Sequence, residues 1–136
     1  MTQDKSTNST PPTLSTLIID DEESIRELFK INLERLGYKV FTACNSSEAI
    51  NIYKISIEDL EPISTVIIDL SIPGDINGKD IAKIFRDLNP QAKLIVSSGN
   101  SDGPEMINYK ENGFDAALEK TFNRDEIKKI LEKLQL

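Results

Sequence analysis

The chain of 136 residues carries 16 lysines and arginines against 23 aspartates and glutamates, a formal net charge of −7, one cysteine and no histidine. That length suits one domain with its own core, and the acidic balance leaves no basic face to neutralise nucleic-acid phosphates, so the expected partners are proteins. Cys44 alone makes no internal disulfide, no apolar stretch reaches membrane-spanning length and the amino terminus lacks the apolar core of a signal peptide, which together point to a reducing cytoplasm without membrane insertion.

Residues 1–13 read as a disordered tail, leaving 14–136 as the domain. Leu14 to Asp20 predicts a strand. Glu22 to Leu36 sets Ile25, Leu28, Phe29, Leu33 and Leu36 at helical spacing, and Gly37 ends the helix. Tyr38 to Ala43 predicts a second strand, and Ser46 or Ser47 is the expected cap of a helix carrying Ala49, Ile50, Tyr53 and Ile57. Thr65 to Leu70 is nearly all β-branched or apolar, as in a strand covered on both faces. Ser71 to Gly78 is full of turn residues and reads as a loop. A helix is expected from Lys79 to about Leu88, then a strand from Lys93 to Ser97, a helix from about Gly103 to Asn112, a strand from Asp115 to Glu119 and a helix from Asn123 to Leu136. Strand-helix repeats of this kind predict a parallel α/β sheet with right-handed crossovers.

The chemistry-bearing residues fall at the ends of the apolar runs. Asp20 and Asp21 follow Leu17-Ile18-Ile19, Asp69 follows Val66-Ile67-Ile68, Ser98 follows Leu94 to Ser97, and Lys120 follows Ala116 to Glu119. In a parallel sheet all carboxyl ends lie on one edge, where ligands bind, so these residues should converge. Crowded carboxylates repel unless a hard cation screens them, and Mg2+ takes one or two carboxylates when it also meets a phosphate. The cluster predicts a metal-dependent phosphoryl site.

These motifs, in this order, resemble a response regulator receiver domain, the phosphoacceptor module of two-component signalling. The resemblance runs from Leu14 to the end. The stretches Asp69-Leu70-Ser71-Ile72-Pro73-Gly74 and Ile95 to Asp102 are most similar to receivers attached to hybrid histidine kinases. It implies a (βα)5 doubly wound, flavodoxin-like fold with five parallel strands in the order 2-1-3-4-5. It also implies that Asp69 is the phosphoacceptor, a carboxylate that forms an acyl phosphate. Mg2+ (or Mn2+) would be held by Asp21, Asp69 and the Ser71 backbone carbonyl, with Asp20 acting mainly through a water. Lys120 and the Ser98 hydroxyl would meet the phosphoryl oxygens, with Gly99 leaving room for the donor. Ser97 is the adjacent rival hydroxyl, on the opposite face of the strand from Ser98. Ser71 and Asn100 would tune the lifetime of the adduct.

With no histidine in the chain the donor must come from outside. The resemblance implies a histidine kinase or a histidine phosphotransfer protein, with the receiver catalysing its own phosphorylation and dephosphorylation without being an enzyme on other substrates. Two departures stand out. The family places a proline after the lysine, where this chain has Thr121, and an aromatic three positions before it, where this chain has Ala117. Aromatic coupling to Ser98 is therefore lost, and output would pass through the loop Ser98 to Ser101 and the following helix. Phe114, Phe122 and Tyr109 are expected to be packing residues. A haloacid dehalogenase-like phosphatase would need an acid where Ser71 stands. The remaining alternative is a receiver-like docking module that is never phosphorylated.

Overall fold

The structure, a computed structural model, describes residues 14–58, 62–99, 103–120 and 122–135. The tail at 1–13, Asn100 and Thr121 lie outside the described residues. The elements are β1 (Ser15–Ile19), α1 (Glu23–Arg35), β2 (Lys39–Ala43), α2 (Ser46–Glu58), β3 (Thr65–Asp69), α3 (Gly78–Leu88), β4 (Lys93–Ser98), α4 (Pro104–Ile107), β5 (Ala116–Glu119) and α5 (Arg124–Gln135). All strand pairings are parallel, in the order β2-β1-β3-β4-β5. The fold is thus the doubly wound one expected, with the strand order switching direction between β1 and β3.

Side chains alternate between the faces of each strand, and the apolar residues sort accordingly. Leu17, Ile19, Val66, Ile68, Leu94 and Val96 pack with Tyr53 and Phe85 on one face. Ile18, Ile67, Ile95 and Leu118 pack with Phe29, Leu33, Phe122 and Leu131 on the other. Phe29 and Phe122 stack with ring centroids 4.2 Å apart, which ties α1 to the segment leading into α5. Phe114 is buried and Tyr109 packs against the core, so these aromatics do serve as packing residues. Truncating the fully buried Leu33 to alanine should cost about 2–5 kcal/mol, because α1 holds its face of the sheet chiefly through it and Phe29.

Helix ends follow local chemistry. Gly37, at φ 94°, closes α1 in a Schellman turn: its N–H donates to Glu34 O and that of Tyr38 to Leu33 O, 3.0 Å each. The cap of α2 is Asn45 rather than Ser46 or Ser47, because the helix begins at Ser46 and the Asn45 side chain accepts from Glu48 N at 2.9 Å. Asn123 and Glu126 form a reciprocal capping box at α5. The helix expected from Gly103 to Asn112 is a single turn, Pro104–Ile107, followed by turns to Gly113. Met106 is buried and Tyr109 packs against the core, but Ile107 is 64% exposed, so this segment anchors only a single helical turn.

Candidate phosphoacceptor site

The carboxyl edge of the sheet gathers the predicted residues. Asp20 follows β1 directly and is 1% exposed, Asp69 closes β3 at 5%, and Asp21 is open to solvent. One carboxylate oxygen from each of Asp20, Asp21 and Asp69 lies within 4.8 Å of the others. Lys120, one residue beyond β5, lays its Nζ 3.1 Å from Asp20 Oδ2 and 3.1 Å from Asp69 Oδ2. Apart from that ammonium, neither oxygen has a hydrogen-bond donor among the described residues.

The Oδ1 atoms of Asp20 and Asp69 are held by nearby backbone N–H groups and, for Asp69, by a hydroxyl as well. Glu22 N donates to Asp20 Oδ1 at 2.9 Å, so Asp20 also serves the first turn of α1. Asp69 Oδ1 accepts from Ser71 N at 2.9 Å and from Ser71 Oγ at 2.6 Å. Burial raises the pKa of Asp20; the Glu22 N–H and Lys120 oppose this, and Asp69 adds repulsion. For Lys120 burial pulls downward, yet its bonds to Asp20 and Asp69 prevail and the net shift is upward.

Buried oxygens of like charge with one cation between them fit a site for a hard divalent ion, which takes oxygen ligands. Asp20, Asp21, Asp69 and the Ser71 carbonyl are the groups that would hold it. Ser98 closes β4 and is half-buried, and its carbonyl accepts from Lys120 N at 3.0 Å. Gly99 is exposed, and among the described residues a Cβ there would meet no atom within 4 Å.

Residues the sequence reading passed over complete the edge. Asp75, in the loop after β3, accepts from Ser46 N at 3.0 Å, Ser46 Oγ at 2.7 Å and Ile76 N at 2.9 Å. It thereby fastens the loop after Asp69 to the start of α2. Arg26 reaches back from α1 to Asp20 O at 2.8 Å. An aspartate in a Gly- and Asn-rich segment reads as a turn residue, and its partner 29 residues away leaves no local signal.

A doubly wound parallel sheet with an acid cluster and a lysine at its carboxyl edge defines a class of α/β domain whose site lies at the strand ends. The sequence profile of the response regulator receiver domain matches residues 16–132. The chain belongs to that family, the receivers of two-component systems. It is 36% identical over 121 residues to an NtrX-like response regulator of Rickettsia felis, covering 88% of this chain and 24% of that one. It is 29% identical over 124 residues to the autoinducer 1 sensor kinase/phosphatase LuxN of Vibrio campbellii, covering 91% of this chain and 14% of LuxN. The chain thus spans about a quarter or less of the length of these relatives. Among solved structures, the response regulator TrrA of Thermotoga maritima, in complex with Mg2+ and BeF, matches with a TM-score of 0.72 and 32% identity over 90% of this chain and 99% of that one. A receiver domain protein of Clostridium thermocellum matches with a TM-score of 0.76 and 27% identity over 89% of this chain and 93% of that one. Among the described residues no helix is long and apolar enough to cross a membrane.

Proposed function

We propose that Asp69 accepts a phosphoryl group from a phosphohistidine of a histidine kinase or histidine phosphotransfer protein, in a Mg2+-dependent step that switches the contacts of this domain with other proteins. The observation that carries this reading is the Lys120 ammonium, 3.1 Å from both Asp69 and Asp20 within an otherwise acidic pocket. Both donors of Ser71 occupy Asp69 Oδ1, which leaves Oδ2 as the nucleophile. Its bond to phosphorus forms as the P–N bond of the donor breaks, and the imidazole nitrogen keeps the electron pair.

A bound Mg2+ or Mn2+ supplies positive charge against the phosphoryl oxygens. Lys120 follows the charge from Asp69 to the phosphoryl group, and the Ser98 hydroxyl donates to another of its oxygens. Ser71 and Asn100 tune hydrolysis of the adduct. The domain catalyses only its own modification, because positioning and charge compensation are most of what phosphoryl transfer needs. The expected setting is the cytoplasm. A phosphatase of the haloacid dehalogenase kind would need an acid at position 71, where the Ser71 hydroxyl instead donates to Asp69.

Incubation with Mg2+ and phosphoramidate should add one phosphoryl mass to the parent protein and none to Asp69→Ala. No adduct on a folded parent protein would favour a docking module that is never phosphorylated.

A further inference from the structure

Of the three carboxylates in the cluster, that of Asp21 alone has no hydrogen bond or ion pair among the described residues. It is exposed, yet one of its oxygens lies within 4.8 Å of those of the buried Asp20 and Asp69. Its place is therefore set by the main chain on either side of it. Ile19 is the last residue of β1 paired with β2 and β3, and beyond it Asp20 N donates to Ala43 O at 3.1 Å. Since α1 starts at Glu23, the Asp20 carbonyl belongs to neither the strand ladder nor the helix. At this partly buried point the carbonyl needs a donor. Arg26 supplies it, with Nη1 donating at 2.8 Å. The backbone N–H of the same arginine donates to Glu22 O at 3.1 Å. Arg26 thus holds the residues on both sides of Asp21.

We infer that Arg26 is a positioning residue for Asp21: by fixing the Asp20–Asp21 peptide it aims the exposed carboxylate at the cluster and so completes the site for a divalent cation. Two effects of its guanidinium oppose each other. As a cation bonded to the main chain beside Asp21 it repels Mg2+, and its loss would tighten binding. As the donor that orients the peptide it holds an oxygen ligand in place, and its loss would weaken binding. Geometry outweighs charge here, because Mg2+ demands near-ideal octahedral placement of its ligands and an unrestrained side chain on a turn does not keep that placement. Groups that orient a metal ligand typically change affinity by about ten- to hundredfold, whereas a partly exposed charge acts on the ion through water and salt, which screen it. The inference rests on the metal site of the proposed function and not on transfer to Asp69.

The test is calorimetric titration of the full chain with Mg2+ alone at fixed ionic strength, with amide hydrogen exchange in EDTA as a second measurement. Arg26→Met should bind Mg2+ about tenfold more weakly than the parent, at the lower end of the range because Asp20 and Asp69 keep their own bonds. Arg26→Gln, a neutral helix former with a shorter side chain, should behave alike and decides the point if Arg26→Met does not fold. The Glu22 N–H, bonded to Asp20 Oδ1, should exchange faster in both variants. An affinity equal to the parent's or tighter overturns the inference, and tighter binding would show that the guanidinium acts by its charge alone. Weaker binding with unchanged exchange at Glu22 overturns the route through the Asp20–Asp21 peptide. A parent protein that binds no Mg2+ overturns the inference together with the metal site. One that binds Mg2+ but takes no phosphoryl group from phosphoramidate refutes the proposed transfer, while the affinities still decide the role of Arg26.

Discussion

Lys120 and Asp20 form an ion pair of 3.1 Å although their strands, β5 and β1, are separated by β3 and β4. The folded-state pKa of Lys120 lies above its ordinary 10.5, so in that alkaline range the native state binds more protons than the unfolded one. The contribution of the pair is therefore fully present below pH 10.5 and is lost as pH rises past it. Tyr38 and Tyr53, whose burial raises their pKa values, add a fall in the same direction. Urea unfolding of the parent and Lys120→Gln across this range should show the steeper alkaline loss in the parent. Near neutral pH the variant should be less stable by about 2 kcal/mol, below the range for fully buried pairs because Asp21 opens the site to water. Equal alkaline slopes would remove the pair from any role in stability.

Asp20 makes the opposite contribution. Burial raises its pKa above the ordinary 3.8, so from there up to its folded value the native state binds the extra proton and stability falls as pH rises. At neutral pH the charged carboxylate is a cost to the metal-free fold. Asp20→Asn keeps an oxygen for the Glu22 N–H and should raise the melting temperature in EDTA by about 2–6 °C. It should also weaken any stabilisation by added Mg2+. A lower melting temperature in EDTA would show that the bond to Lys120 outweighs burial.

The strands and the edge they build were legible because each apolar run ends on its charged or hydroxyl residue, and a parallel sheet brings those ends together whatever the helices do. Helix ends were less so. Ser46 and Ser47 looked like caps of α2 by residue type, but Asn45 holds the position and Ser46 is turned to a partner distant in sequence. The helix after β4 is expected from about Gly103 to Asn112 but spans only Pro104–Ile107; Met106 is buried while Ile107 lies in solvent, too little apolar anchoring to extend it. The proposed output route through that helix therefore has only Pro104–Ile107 to act on. Register distinguishes two adjacent serines: Ser97 is paired with Asp69 inside the sheet, and Ser98 closes β4 one residue beyond.

The Asp75 clamp should couple the loop after Asp69 to α2. Asp75→Ala removes the acceptor of Ser46 N, Ser46 Oγ and Ile76 N and leaves the buried Ser46 hydroxyl without it. A loss of about 2 kcal/mol is expected, since stranding a buried donor costs about 1–3 kcal/mol. Ser46→Ala should cost less, and the double variant should be no worse than Asp75→Ala alone. Hydrogen exchange at the Ser46 and Ile76 amides should quicken in Asp75→Ala and stay at the parent rate on the distant face around Phe122. Additive losses in the double variant would show that the two side chains act separately.

Ser71 offers the sharpest test of the Asp69 chemistry, because its hydroxyl bonds a carboxylate whose charge changes during the reaction. The 2.6 Å bond from Ser71 Oγ stabilises the anionic carboxylate. In the proposed reaction negative charge leaves that carboxylate as Oδ2 attacks phosphorus and returns to it when the adduct is hydrolysed. A donor that favours the anion therefore slows the attack and speeds the hydrolysis. Ser71→Ala keeps the Ser71 N bond and should shift both rates toward the phosphorylated form. Phosphorylation by phosphoramidate should rise about threefold and dephosphorylation slow about threefold. Their product, about tenfold, corresponds to roughly 1.4 kcal/mol, the size of one ordinary hydrogen bond and at the low edge for one to a charged group. Single-turnover phosphorylation and the decay of the purified adduct, followed by intact mass, give the two rates separately. If both rates move in the same direction, Ser71 acts on the incoming groups and not on the charge of Asp69.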